Sequence, residues 1–303
     1  MSYRTLLLRL LAPAALLGLP LAGLSAEGGA GPVPPPAPPA VPVPAANLAT
    51  GSRLFDESVR WVAKGAQGIQ QVKDFYVALE AKFDLEGSKH EGPMRLWLQL
   101  PDLYRQEMTM SNTATTKVLA RGNLHVRGQD GTFRHMNRTA DGAPAVKQAT
   151  DDMERLIDLT TFLTLEGLKG PGVTFEFEGE KQPSGDYARP EGGTWAKVVR
   201  KAPGRANISF WLANTRDGTG TLRATYPGVV RVDGEPQNDI PAEDYLLHDW
   251  RESPAGQPRP FLYPRSIRAF QIRPLQPPFL FLKAFVNDIK INAGIDATRF
   301  EPR

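Results

Sequence analysis

Asp74-Phe75-Tyr76-Val77-Ala78-Leu79-Glu80-Ala81-Lys82-Phe83-Asp84-Leu85 decides the fold. Phe75, Val77, Leu79, Ala81, Phe83 and Leu85 recur at every second position, and Asp74, Tyr76, Glu80, Lys82 and Asp84 stand between them. Successive side chains of an extended chain point to opposite faces, so this stretch reads as a strand with one face in a core and one in water. Glu86-Gly87-Ser88 is a turn signal. Met94, Leu96, Leu98 and Leu100 then repeat the alternation until Pro101, which lacks the N–H that a ladder needs.

On the N-terminal side, Phe55, Val59, Val62, Ala66, Ile69 and Val72 recur at steps of three and four and predict a helix running into this strand, weakened by Gly65 and Gly68. On the C-terminal side, short strands are expected over 115–121, 123–127 and 132–137, the last two joined by the turn Gly128-Gln129-Asp130-Gly131. Further strands are expected over 173–180, 194–200, 207–212, 222–226, 245–251, 266–272 and 279–291. A helix over 150–168 interrupts them. Thr150 would cap it, Asp151, Asp152 and Glu154 would favour the positive end of its dipole, and Met153, Leu156, Ile157, Thr160 and Leu163 mark its apolar face. Gly167, Gly170 and Pro171 would end it. Many antiparallel strands with two helices imply a strongly curved sheet whose concave apolar face the helices would cover.

The N-terminal end reads as an export signal. Arg4 and Arg9 precede an apolar run from Leu10 to Leu24 that ends in small residues, with cleavage expected after Ala26 and an alternative site after Ala30. That run is short of the ~20 residues that a spanning helix needs. Residues 27–46 hold eight prolines among Gly, Ala and Val, a linker composition that favours extended chain over a packed core. The domain plan is therefore a signal peptide over 1–26, a disordered Pro-rich linker over 27–46 and one folded domain over 47–303.

Composition excludes several functions. Without the signal the chain keeps 34 basic and 33 acidic side chains, no basis for a nucleic-acid groove. The absence of cysteine removes disulfides, thiol catalysis, cysteine zinc sites and a lipidated N-terminal Cys. His90, His125, His135 and His248 lack metal-ligand spacing, although His125 and His135 can face each other across the 128–131 turn. Glu176, Glu178 and Glu180 alternate with Val173, Phe175 and Phe177, as on the solvated side of a strand. Neither a Gly-x-Ser-x-Gly elbow nor a Walker loop occurs. Phe279, Leu280, Phe281 and Leu282 are apolar at consecutive positions, which predicts a strand covered on both faces.

The order of these features resembles the LolA-like superfamily of periplasmic lipoprotein carriers, with the LolB and MucB/RseB-type domains. The resemblance covers most of residues 50–303. It rests on a helix leading into Phe75-x-Val77, on Pro101-Asp102-Leu103-Tyr104-Arg105-Gln106-Glu107, similar to the family's proline-x-x-Arg-x-Glu step, and on the Asp130-Gly131 hairpin. It rests further on Asp249-Trp250-Arg251, Pro264 and the ending Ile289-Lys290-Ile291-Asn292-Ala293-Gly294-Ile295-Asp296-Ala297-Thr298-Arg299-Phe300. The resemblance implies an α+β, mainly β fold, an incomplete antiparallel β-barrel whose hydrophobic concave face is covered by helices and holds acyl chains. The family's lid-latching arginine has Leu100 at its position here, so that latch is not carried over.

The expectation is an exported carrier, periplasmic or secreted and not lipidated, that is monomeric, is not an enzyme and needs no cofactor or metal. Val77, Leu79, Phe83, Leu96 and Leu98 would line the cavity, with Met153, Leu156 and Leu163 from the lid. Its partners would be lipid or lipoprotein acyl chains and membrane-associated proteins, not nucleic acid. An envelope sensor or scaffold of the same fold, binding a partner protein or peptide, is the alternative.

Overall fold

A computed structural model of the chain describes residues 44–302 apart from 67, 70, 86–87, 139–141, 166, 184–193, 235–240 and 274. The expected signal peptide and the linker up to residue 43 lie outside the described residues. Strands β1 (Asp74–Leu85) and β2 (Ser88–Gln99) form the expected antiparallel pair, with Phe75 opposite Leu98, Val77 opposite Leu96 and Leu79 opposite Met94. The sheet then steps outward through β3 (Leu103–Met110), β4 (Thr113–Ala120), β5 (Asn123–Arg127) and β6 (Phe133–His135). After a helix it resumes at the far edge with β7 (Thr174–Glu180) and β8 (Thr194–Lys201). It returns through β9 (Ile208–Arg216), β10 (Leu222–Val232), β11 (Ala242–Glu252), β12 (Leu262–Ile272) and β13 (Phe279–Ile291).

Strand β13 pairs with β1, so the two meanders make one thirteen-stranded antiparallel sheet that stays open, with β6 and β7 at its edges. Phe75 lies opposite Ile291 and Val77 opposite Ile289, which gives the central strands a continuous apolar row on one face. Most buried apolar residues of the sheet and both helices belong to that single core. Two smaller clusters sit elsewhere, Trp195, Trp211, Ala213, Val229 and Leu246 in one and Trp97, Val118 and Phe300 in the other. Gly228 is required in the first, because a Cβ there would stand 2.0 Å from the ring of Trp195.

Helix α1 (Ala45–Val62) begins inside the stretch expected to be linker and stops before Ala66, Ile69 and Val72. Left-handed backbone at Lys64 and Gly65 (φ 51° and 88°) turns the chain out of the helix there. Its buried side docks on the β7–β10 half of the sheet. Phe55 stacks on Phe175 at 4.1 Å, and Glu57 accepts hydrogen bonds from the Ala224 N–H (2.8 Å) and from Arg223 (2.9 Å). Gly51 lets the helix approach β7, since a Cβ would lie 2.4 Å from the Phe175 carbonyl oxygen.

Helix α2 spans Gly142–Thr164 and corrects the expected 150–168. Pro144 reads as a breaker, yet it lies in the first turn, where its missing N–H breaks no intrahelical bond. Thr150 is therefore an interior residue, not a cap, and its hydroxyl donates to the Val146 carbonyl at 3.0 Å. Strand β3 is not among the strands that the sequence pattern predicts. The expectation for β13 also needs correcting: Phe279 and Phe285 remain 36% and 46% exposed, because no second layer covers that strand on both faces.

Candidate functional site

The eight residues expected to line a cavity come together. Val77, Leu79 and Phe83 of β1, Leu96 and Leu98 of β2, and Met153, Leu156 and Leu163 of α2 belong to one apolar cluster, none more than 9% exposed. The period-two register of β1 and β2 puts their five on one face, and the three- and four-residue steps of α2 put the other three on one side of the helix. In the structure all eight are buried within that one extended cluster.

Helix α2 touches both halves of the sheet. Asp152 pairs with Lys117 of β4 at 3.3 Å, and ten residues on Phe162 meets the ring of Tyr245 on β11 at 6.0 Å. The ion pair is nearly dry, with side chains 10% and 2% exposed. Around it Gln106, Thr115 and Tyr104 are also buried, and burial together with the Asp152 charge pushes the Tyr104 hydroxyl well above the usual phenol range. Asp152 thus belongs to the buried side of α2, between Ala149 and Met153, and does not serve the helix start. Sequence reasoning missed Lys117, although its charge breaks the apolar side of a strand. Thr160, Thr161 and Thr164 return their hydroxyls to carbonyls one turn back at 2.7–2.9 Å, so they add no unpaired polar atom to that side.

A hollow of about 430 Å³ lies on the opposite face of the central strands. Tyr76 and Trp97 form its floor, with ring centroids 5.2 Å apart, and Arg95, Glu107, Lys290 and residues 293–296 and 299 form its walls. Register explains the convergence, since Lys290, Tyr76 and Trp97 are successive cross-strand neighbours on β13, β1 and β2. Nothing in the linear sequence brings Arg299 to this place except the fold of the tail.

Several other titratable groups form pairs. His125 stacks on His135 across the hairpin at 4.6 Å, in register as expected. Glu176 and Glu178 meet Lys201 and Lys197 at 2.5 and 2.9 Å, and Glu180 meets Arg216. The three acids thus belong to a charged exterior. Among the described residues no three His, Asp or Glu side chains converge as metal ligands, and no helix is long and apolar enough to cross a membrane.

No protein-family profile matches the chain, and no curated protein matches it. Solved structures align with most of the chain. A DUF1329 family protein from Desulfovibrio piger shares 10% identity over 84% of this chain and 97% of that chain, with a TM-score of 0.42. A LolA superfamily protein from Nitrosomonas europaea shares 8% identity over 83% and 97%, with a TM-score of 0.44. A putative outer membrane lipoprotein-sorting protein domain from Vibrio parahaemolyticus shares 8% over 84% and 96%, with a TM-score of 0.39.

Proposed function

We propose that this chain is a carrier in the cell envelope that takes up lipid or lipoprotein acyl chains between α2 and the sheet, without covalent chemistry. The reach of α2 carries the reading. From Lys117 on β4 to Tyr245 on β11 is six strand spacings, about 29 Å on a flat sheet at ~4.8 Å each. The ten helical residues between their partners Asp152 and Phe162 rise only about 15 Å. This shorter reach fits a sheet that bends toward the helix, and it supports reading the apolar face as the inside of a half-barrel with α2 as its lid.

Ligand enters this space as α2 moves off, because the eight interior side chains now fill it themselves. Transfer from water is worth ~0.8 kcal/mol per methylene, whereas transfer from a bilayer into an equally apolar interior gains almost nothing. Uptake and release then depend on what holds the lid, and the Lys117–Asp152 pair is a charged hold within an apolar contact. Mass spectrometry of organic extracts from native protein tests the reading. Stoichiometric acyl lipid supports it; ligand-free protein that also binds no added long-chain fatty acid contradicts it.

A further inference from the structure

The hollow on the face away from the apolar interior has a different chemistry. Its lining carries three cations, Arg95, Lys290 and Arg299, against two acids, Glu107 and Asp296. Both acids already have partners: Arg105 holds Glu107 at 2.6–2.8 Å, and Asp296 accepts from the Thr298 N–H at 2.8 Å. Among the described residues neither Arg95 nor Arg299 has a carboxylate within 4 Å, whereas Lys290 has Asp288 at 3.8 Å. Among the described residues, two guanidinium groups without a carboxylate within 4 Å therefore border one cavity.

We propose that this hollow is a binding site for a small ligand carrying a phosphate or carboxylate on a ring or other apolar body. Its volume falls within the 300–1,000 Å³ or so typical of small-molecule sites. The guanidinium of Arg299 lies over the Trp97 ring at 5.4 Å, a stacking that leaves its edge N–H groups to meet an oxyanion with two parallel bonds. Tyr76 contributes a phenol, and the Lys290 ammonium lies over its ring at 5.6 Å. Burial raises the pKa of that phenol, with Asp288 next and Arg95 opposing, so it stays a hydrogen-bond donor at neutral pH.

The site is also held in place before any ligand arrives. Arg105 donates to the Arg299 carbonyl at 2.9 Å, Phe300 is buried beside Trp97 and Val118, and the Ala293 and Gly294 N–H groups donate to Asp74. The oxyanion can come from a soluble metabolite or from a lipid headgroup, and both present the same group to Arg95 and Arg299.

Isothermal titration of the folded chain with phenyl phosphate, inorganic phosphate and dihexanoyl phosphatidic acid tests this. Saturable binding of phenyl phosphate or the short lipid, tighter than that of inorganic phosphate, is expected, and the tighter of the two identifies the source. Arg95→Gln and Arg299→Gln should each weaken it about tenfold or more. Arg95 is exposed, so its variant keeps the fold even where the Arg299 variant loosens the tail. No saturable binding of any of the three probes, or an Arg95→Gln chain that binds as the parent does, overturns the proposal.

Discussion

Asp74 and Asn292 cap each other's backbone. The Asn292 side-chain oxygen accepts from the Lys73 and Asp74 N–H groups at 2.6 and 3.4 Å, and the Asp74 carboxylate accepts from Ala293 and Gly294 at 2.9 and 3.2 Å. Asn292 has φ 53°, which Asn tolerates better than most residues. The ending that resembles a family motif is thus a clasp joining the start of β1 to the end of β13. Asp74→Ala leaves two N–H groups without their acceptor and should cost about 1–3 kcal/mol in urea unfolding. A loss under ~0.3 kcal/mol would show that the clasp is dispensable.

The Lys117–Asp152 pair should behave as a coupled unit. Lys117→Met alone takes the cation from a buried carboxylate, at up to about 3–5 kcal/mol, less if α2 swings out, whereas Lys117→Met with Asp152→Leu should be close to neutral. A double-mutant cycle by urea unfolding checks this. Single and double variants of equal stability would mean that the two charges do not support each other.

Acidification should weaken the fold through two histidines. Burial lowers the pKa of His125 below the ordinary 6.5, helped by His135 and Arg138, and burial with Arg268 lowers that of His248. The neutral forms are favoured in the folded chain, so stability is full above pH ~6.5 and falls as pH drops below it toward the folded pKa values. The carboxylates held below their usual range, including Asp217 bound by Thr219 and Arg223, respond at lower pH. Thermal midpoints from pH 8 to 5 should decline in the upper window, and His125→Gln with His248→Gln should flatten that part of the profile. An unchanged slope in the double variant would assign the decline to other groups.

Leu163→Asp distinguishes a lid from a core helix. A carboxylate against the apolar face costs several kcal/mol, which α2 can escape by moving into water. The variant should unfold cooperatively, bind ANS more strongly and lose co-purifying lipid. Loss of cooperative unfolding would make α2 ordinary core.

Where an element obeyed one periodicity, its bounds were legible in the residues. β1 alternates without a break, and β13, although apolar at consecutive positions near its start, still runs over the expected 279–291. The helix ends were less readable, because Pro44 and Pro144 suggest breaks, yet Pro44 stands just before α1 and Pro144 in the first turn of α2, where a missing N–H breaks no helical bond. β3 was hidden because Gln106 takes an inward position between Tyr104 and Met108, so hydrophobicity does not alternate cleanly. The apolar interior could be anticipated residue by residue, since burial follows period. The hollow at Tyr76, Trp97 and Arg299 could not, because it depends on cross-strand register and on the path of the tail.

Hydrogen exchange along α2 tests the carrier account most directly, by comparing amides 142–164 with those of β1 before and after adding a long-chain fatty acid. Both elements lie in one buried core. A lid opens without unfolding the sheet. The account predicts that in free protein α2 exchanges faster than β1, and that the fatty acid slows α2 while β1 stays the same. Exchange of α2 only together with β1, unaltered by fatty acid, would contradict it.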